Sequence, residues 1–218
     1  MTETATRPGL REISDQIARC RLCKLGQGNA RAVPGEGNPN ASVILVGEAP
    51  GFYEDQQGRP FVGPAGQLLD QLLKAAGFAR SDVFITNVIK HRPPGNRDPE
   101  EDEITACDAF LKAQIAAINP RVIVTLGRYS LAKFLPGPRS MKDVHGKAFP
   151  YEGRLVCAMY HPAAALHQGS LRSVLEQDFR MLPMIISRAE TRAAGTDTDR
   201  TAAVTAEEEP TAEQMALF

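Results

Sequence analysis

The chain predicts an α/β fold, a three-layer sandwich around a central, mostly parallel four-stranded sheet. Three observations lead there: short apolar runs rich in Val and Ile, amphipathic stretches of helical length between them, and a regular alternation of the two along 218 residues. Strands of a parallel sheet covered on both faces are apolar throughout, and these runs have that character.

Residues 10–24 (LREISDQIARCRLCK) set Leu10, Ile13, Ile17 and Leu22 at roughly helical spacing, with Cys20 and Cys23 near the end, where the helix gives way to a loop. The first strand is 42–47 (SVILVG), which runs into a glycine-rich turn. A helix follows in GPAGQLLDQLLKAAG and stops at Gly77. The second strand, 83–90 (VFITNVIK), is bounded by a Pro-Pro-Gly-Asn turn. PEEDEITACDAFLKAQIAAINP reads as a helix with an acidic start, favourable at the positive end of its dipole, and a stop at Asn119-Pro120. The third strand is 121–127 (RVIVTLG), the fourth 154–159 (RLVCAM), with helices expected at 128–135 and 170–187. No internal repeat is present.

The composition suits a folded, water-surrounded body: 43% of residues are hydrophobic and 23% charged. No apolar run approaches the roughly 20 residues that cross a bilayer, so no membrane contact is expected. The opening MTETATRPGLRE has neither an apolar stretch nor a cleavage site, so the expected location is cytoplasmic. In a reducing compartment four cysteines point to metal or redox chemistry rather than disulfides. The net charge of −1 is unevenly spread: residues 190–218 hold seven acids and two arginines, which leaves the body at +4, compatible with phosphate contacts. The expected division is a domain over 1–188 and an acidic tail over 189–218. Residues 190–212, rich in Ala, Thr and acids with no apolar period, are expected to stay disordered. A monomer is expected.

In a doubly wound sheet ligands sit beyond the carboxyl ends of the strands. Glu48 follows the first strand, Asn87 lies late in the second, and His161 follows the last, so three polar side chains converge on one end of the sheet. Each alone could be an ordinary loop or core residue. Cys20-x-x-Cys23 is a ligand pair for zinc or for an iron–sulfur cluster, or equally a redox dithiol. Gly63 and Gly66 precede a helix whose first N–H groups could meet a phosphate, but no Gly-Lys-Ser/Thr follows, which disfavours a P-loop.

The segments GEAPGFYEDQQGRPFVGPAGQLL (47–69), ITNVIKHRPPGNRDP (85–99) and YHPAAAL (160–166), taken in order, closely resemble the family 4, iron–sulfur uracil-DNA glycosylases. The resemblance spans about Cys20 to Ile186. It implies a base-excision repair enzyme that flips uracil out of DNA and hydrolyses its glycosidic bond. Phe61 is implied to stack on the base while the Asn87 amide reads its O4 and N3 edge, the reverse of cytosine's. His161 is implied to donate to O2 as negative charge develops, and Glu48 to orient the attacking water or stabilise the sugar cation. Gly47 and Ala49 flank Glu48 on the substrate-binding turn, and Glu54 lies on the side that would meet thymine's methyl group. Leu166 is the implied wedge into the vacated base stack, and Arg172 the implied phosphate contact.

The family also implies a [4Fe–4S] cluster on Cys20, Cys23, His91 and Cys107, with histidine in the third position where the family has cysteine. Zinc would suit the same Cys₃His set. Cys157, within an apolar strand, reads as a small buried hydrophobe and is left out of the ligand set. A histidine cluster ligand occurs in the UdgX type, which traps DNA covalently through a histidine in an inserted basic loop. Here Lys90-His91 runs directly into RPPGNRDP without that loop, so turnover is expected rather than an adduct. A second departure is His145-Gly146, where the family usually has Arg-Gly, an exchange that could weaken one phosphate contact.

The chain closes on Gln214-Met215-Ala216-Leu217-Phe218, similar to the short Gln-x-x-Leu-Phe peptides that dock on the bacterial sliding clamp. Gln214, Leu217 and Phe218 are its anchors. Two rival readings keep the same residues: a uracil-DNA binding protein that does not cleave or that traps its target, and a clamp-recruited adaptor. The acidic tail could also repel DNA.

Overall fold

In the computed structural model of the chain, which describes residues 9–203, the four expected strands lie side by side and parallel. They are β2 (Val43–Gly47), β3 (Phe84–Asn87), β4 (Val122–Leu126) and β6 (Arg154–Met159). Two short strands, β1 (Glu36–Gly37) and β5 (Ala148–Tyr151), add antiparallel edges, and the order across the sheet is β1-β3-β2-β4-β6-β5. The sequence signal missed both edges for different reasons. β1 is two residues in a Gly/Pro-rich stretch, whereas β5 carries Pro150, which only an edge strand tolerates.

Every residue of β2, β3 and β4 is buried, because helices cover both faces. Val43, Leu45, Val124 and Cys157 point to one core, filled by Leu68, Leu69, Leu72 and Leu73 of α4 (Pro64–Ala75) and by Leu175 and Phe179 of α9 (Ser170–Arg180). Ile44, Val46, Ile123 and Val156 point to the other, filled by Leu111 and Ile118 of α5 (Glu101–Ile118) and Leu131 and Phe134 of α6 (Arg128–Phe134). The strict alternation of neighbours between two cores is the period-two geometry of a strand buried on both sides. α1 (Leu10–Ala18) lies against α5 and buries Ile13 and Ile17. Among the described residues no helix is long and apolar enough to cross a membrane.

Several element ends depart from expectation. The first helix stops at Ala18, so Cys20 lies in the turn beyond it and Cys23 caps the short α2 (Lys24–Gln27). The second strand leaves the ladder after Asn87, where Val88 and Ile89 donate instead to the carbonyls of Gly47 and Glu48. The last helix breaks near Met181 into α9 and α10, and α10 (Leu182–Ala203) runs past residue 188, the expected close of the body. The C-terminal peptide with Gln214, Leu217 and Phe218 lies outside the described residues.

Candidate active site

The parallel register sets Gly47 beside Asn87, so the turn after β2 and the end of β3 open onto the same edge of the sheet. β6 ends two strands over from β2, beyond β4, and His161 there becomes the N-cap of α8 (Pro162–His167), with Pro162 in the first helical turn, where its missing N–H costs nothing. These ends enclose a cavity of about 390 Å³ lined by Glu48, Ala49, Glu54, Phe61, Asn87 and His161, with Pro93, Asn96 and Arg97 on the far wall.

Gly47 has no side chain because none fits. A Cβ there would lie 2.3 Å from Asn87 Oδ1 and 2.7 Å from Phe61 Cζ. The Phe61 ring is stacked on the His161 imidazole, with centroids 5.5 Å apart and planes inclined by 27°. Its backbone has φ 50°, a left-handed conformation that costs a bulky residue energy unless neighbours enforce it. Two features enforce it. Arg80 donates to the carbonyls of Pro60 at 2.5 Å and Phe61 at 3.2 Å, and is itself held by Glu36 at 2.8 Å and Asp70 at 2.9 Å. Gly66 packs so tightly beneath that a Cβ would fall 1.9 Å from Phe61 O.

Asn87 is 1% exposed, and its Oδ1 has no hydrogen-bond partner among the described residues. A buried carbonyl left unpaired costs about 1–3 kcal/mol, so such a group is commonly completed by a ligand or water. Its main chain is held from behind by Lys90, fully buried, whose ammonium donates to Asn87 O at 2.7 Å and to Thr86 Oγ1 and Gln114 Oε1, both at 2.8 Å.

The charged residues divide by environment. Glu48 is half-buried, and burial first and the neighbouring Asp98 second, opposed by Arg128, raise its carboxyl to about 7. Burial lowers His161 to about 4, with Glu54 opposing. His161 Nδ1 also accepts the Ala163 backbone N–H at 3.1 Å, which leaves Nε2 as the protonated nitrogen of a neutral ring. Glu54 lies in the wall, but both of its oxygens are engaged: Oε1 takes the N–H groups of Val62 at 2.8 Å and Gly63 at 2.9 Å, and Oε2 that of Gly51 at 3.1 Å. It buckles the GEAPG turn to the loop carrying Phe61. Leu166, on the outer end of α8, is 49% exposed. Arg172 is exposed on α9, where it donates to Gln71 at 2.8 Å and Glu176 at 3.3 Å. His145 faces inward, 2.9 Å from Asp178.

Cys20, Cys23, His91 and Cys107 are all buried. Burial raises the Cys107 thiol, Lys90 lowers it, and the nearby Cys23 and Cys20 raise it again, so the three sulfurs lie within electrostatic reach of one another. Gly26 is pressed between two of the four: a Cβ there would lie 2.8 Å from Cys20 O and 3.4 Å from His91 Cε1. No set of three or more His, Cys, Asp or Glu among the described residues closes on a single metal ion. Cys157 packs in the opposite core, with its thiol pushed up to about 12 by burial.

Sequence reasoning missed Arg80, Lys90 and Asp98. Asp98 sits in NRDP, at the end of the segment 85–99 already singled out, and an acid within a site motif was an available signal. Arg80 follows a helix stop in a stretch with no pattern, and nothing local marks it.

Residues 34–180 match the model of the Uracil DNA glycosylase superfamily. The type-4 uracil-DNA glycosylase of Sulfurisphaera tokodaii is 50% identical over 182 residues, which cover 79% of this chain and 83% of that protein. That of Saccharolobus solfataricus is 47% identical over 80% of this chain and 85% of its own length. That of Thermotoga maritima is 42% identical over 84% and 98%.

Proposed function

The chain belongs to the uracil DNA glycosylase superfamily and is a uracil-DNA glycosylase, a DNA-repair hydrolase, and from that premise we propose how its own residues divide the reaction. The observation that carries the proposal is the buried, partnerless Oδ1 of Asn87. Uracil offers a donor at N3 and an acceptor at O4. Asn87 Oδ1 accepts from N3–H while its NH₂ donates to O4. Cytosine offers an acceptor and a donor in those places and would leave both pairs mismatched, which costs far more than a missing methyl group.

A flipped uracil stacks on Phe61, with Gly47 and Ala49 along its edge. As the bond from C1′ to N1 breaks, its electron pair moves into the ring and onto O2, where the His161 Nε2–H stabilises the growing charge. A neutral donor suffices, and keeping it neutral spares the site an extra buried ion. The sugar becomes cationic, and Glu48 as a carboxylate orients the water that adds to C1′ and takes up its proton. Glu54 holds the wall. Leu166 fills the vacated stack and Arg172 meets a phosphate once it leaves Gln71.

Cys20, Cys23, His91 and Cys107 would hold a [4Fe–4S] cluster. Three buried thiols and an imidazole are a donor set that fits one. When bound, the cluster supplies a cross-link rather than an electron, since hydrolysis needs none. It ties the turn after α1 to the loop after β3 and to α5. The terminal Gln214, Leu217 and Phe218 dock the enzyme on the sliding clamp.

The test is base release from a labelled uracil-containing oligonucleotide, with products resolved before and after alkali. An alkali-dependent break that is lost in Asn87→Ala and strongly slowed in Glu48→Gln supports the division of roles. Uracil-selective binding without release overturns it in favour of a sensor, and a heat-stable protein–DNA band overturns it in favour of covalent trapping.

A further inference from the structure

Two large exposed rings lie next in sequence to residues that line the cavity. Phe52 and Tyr53 open α3 (Phe52–Gln57) and are 49% and 51% exposed. They meet edge to face, with centroids 5.5 Å apart and planes at 83°. Their chain neighbours Gly51 and Glu54 line the uracil cavity, so the pair cannot lie far from its mouth. Tyr53 rests against Gly63, where a Cβ would come within 2.9 Å of its ring. The Arg92 guanidinium lies 5.1 Å from the centre of the Phe52 ring, and its Nε is held by Asn96 Oδ1 at 2.6 Å. Pro93 and Asn96, which follow that arginine in the same loop, line the cavity too.

A single exposed aromatic residue needs no explanation. A pair with a guanidinium over one face, set at the mouth of a nucleobase cavity, has a definite chemistry. Aromatic and guanidinium planes take unstacked bases face-on with little regard to sequence, and a guanidinium pairs with phosphate. The release of uracil uses neither ring. The rings open α3 directly after the turn that carries Glu48, next in sequence to the Gly51 and Glu54 that line the cavity.

We propose that Phe52, Tyr53 and Arg92 form a second base-binding site, which holds an unpaired nucleotide neighbouring the flipped uracil: its base stacks on the aromatic pair and its phosphate meets Arg92. This rests on the cavity being the uracil site. A neighbour locked in a duplex cannot reach the platform, so the site serves uracil in single-stranded or frayed DNA.

The test compares one uracil-containing sequence as a single strand and as a duplex, with 2-aminopurine beside the uracil as a stacking probe. The Phe52→Ala, Tyr53→Ala double variant raises KM on the single strand by about 5- to 150-fold, the range expected for losing one stacked base. The rise on the duplex is much smaller, and kcat at saturation is retained on both. The 2-aminopurine quenching seen with the parent protein is lost, and Phe52→Tyr with Tyr53→Phe restores it. Arg92→Gln lowers the slope of log K against log salt on the single strand by about 0.7, one phosphate contact. An unchanged KM, an equal rise on both substrates, or quenching that survives the double variant overturns the platform. A failed uracil site shows itself differently, as no uracil release by the parent protein on either substrate.

Discussion

The Ala163 backbone N–H points at Nδ1 of His161, 3.1 Å away, and so decides which ring nitrogen carries the proton. One helix-cap hydrogen bond thereby leaves Nε2–H free for the donor role proposed for it, and burial that lowers the ring to about 4 keeps it neutral throughout the working range. Nitrogen-15 NMR of the imidazole should show the Nε2–H tautomer at neutral pH, with no titration above about pH 5. Removal of one preorganised donor costs about 10²–10³-fold in rate. His161→Ala should therefore lower the single-turnover rate by that much while uracil-DNA binding changes little. A charged ring at neutral pH would contradict the assignment.

Glu48 makes the opposite demand, because the role assigned to it needs the ionised form. With its carboxyl raised to about 7, kcat/KM should climb as pH rises toward 7 and level off above it. Burial is the first cause and Asp98 the second, so Asp98→Asn should move the midpoint down, and Arg128→Gln should move it up. The sign for stability follows from the same shift. A carboxyl raised from 4.5 favours the folded state below its unfolded value, and that contribution is lost as pH rises through about 7. Glu48→Gln should therefore melt later than the parent at pH 8 while turning over far more slowly. A flat rate profile from pH 5 to 9 would remove Glu48 from the water-positioning role.

Arg80 never touches the cavity, yet it bonds the two carbonyls that hold Phe61 in its left-handed turn. Arg80→Ala should free that turn and let the ring leave the His161 face. The expected result is a stability loss of about 1–3 kcal/mol, typical of buried carbonyls that lose a charged donor. Inhibition by free uracil should weaken by more than thermal stability alone would explain. Glu36→Gln, which loosens Arg80 without removing it, should give a smaller effect of the same kind. If uracil inhibition is unchanged in Arg80→Ala, the clamp is structural only.

What the sequence made legible is the part of the site written in local pattern. Glu48, Asn87 and His161 stand at the ends of apolar runs, and a parallel sheet collects strand ends at one edge, so their convergence follows from periodicity once the strands are found. Phe61 was readable only inside its motif, since a buried phenylalanine alone is ordinary. Other roles appear only on folding. Glu54 lies in the wall, as the motif suggested, but its oxygens are consumed by Gly51 on one loop and by Val62 and Gly63 on another, which only the fold brings together. Lys90 is polar within a strand-like run, a position that periodicity reads as noise. It is buried because Thr86, Gln114 and the Asn87 carbonyl supply it with three acceptors. The edge strands were illegible for the complementary reason: β1 and β5 are defined by the partners they pair with and carry little signal of their own.

Cys20, Cys23, His91 and Cys107 come from three separate segments, so the cluster proposed for them would hold the fold as well as itself. Protein purified without oxygen should be brown and carry about four irons per chain, and Cys107→Ser should lose both colour and iron. Cys157→Ser should keep them, because Cys157 packs in the opposite core. Stripping the iron should lower the thermal midpoint and expose the turn after α1 and the loop after β3 to proteolysis before α4 or α9, which pack on the other face. Imidazole in place of thiolate removes negative charge from the cluster and raises its potential. His91→Cys should therefore keep the iron and shift the reduction potential downward, with base release little altered, since the cross-link is preserved and no electron is needed. Colourless protein with one zinc per chain would overturn the cluster. A large loss of activity in an iron-replete His91→Cys variant would instead show that the histidine acts on the site through the loop it shares with Arg92 and Pro93.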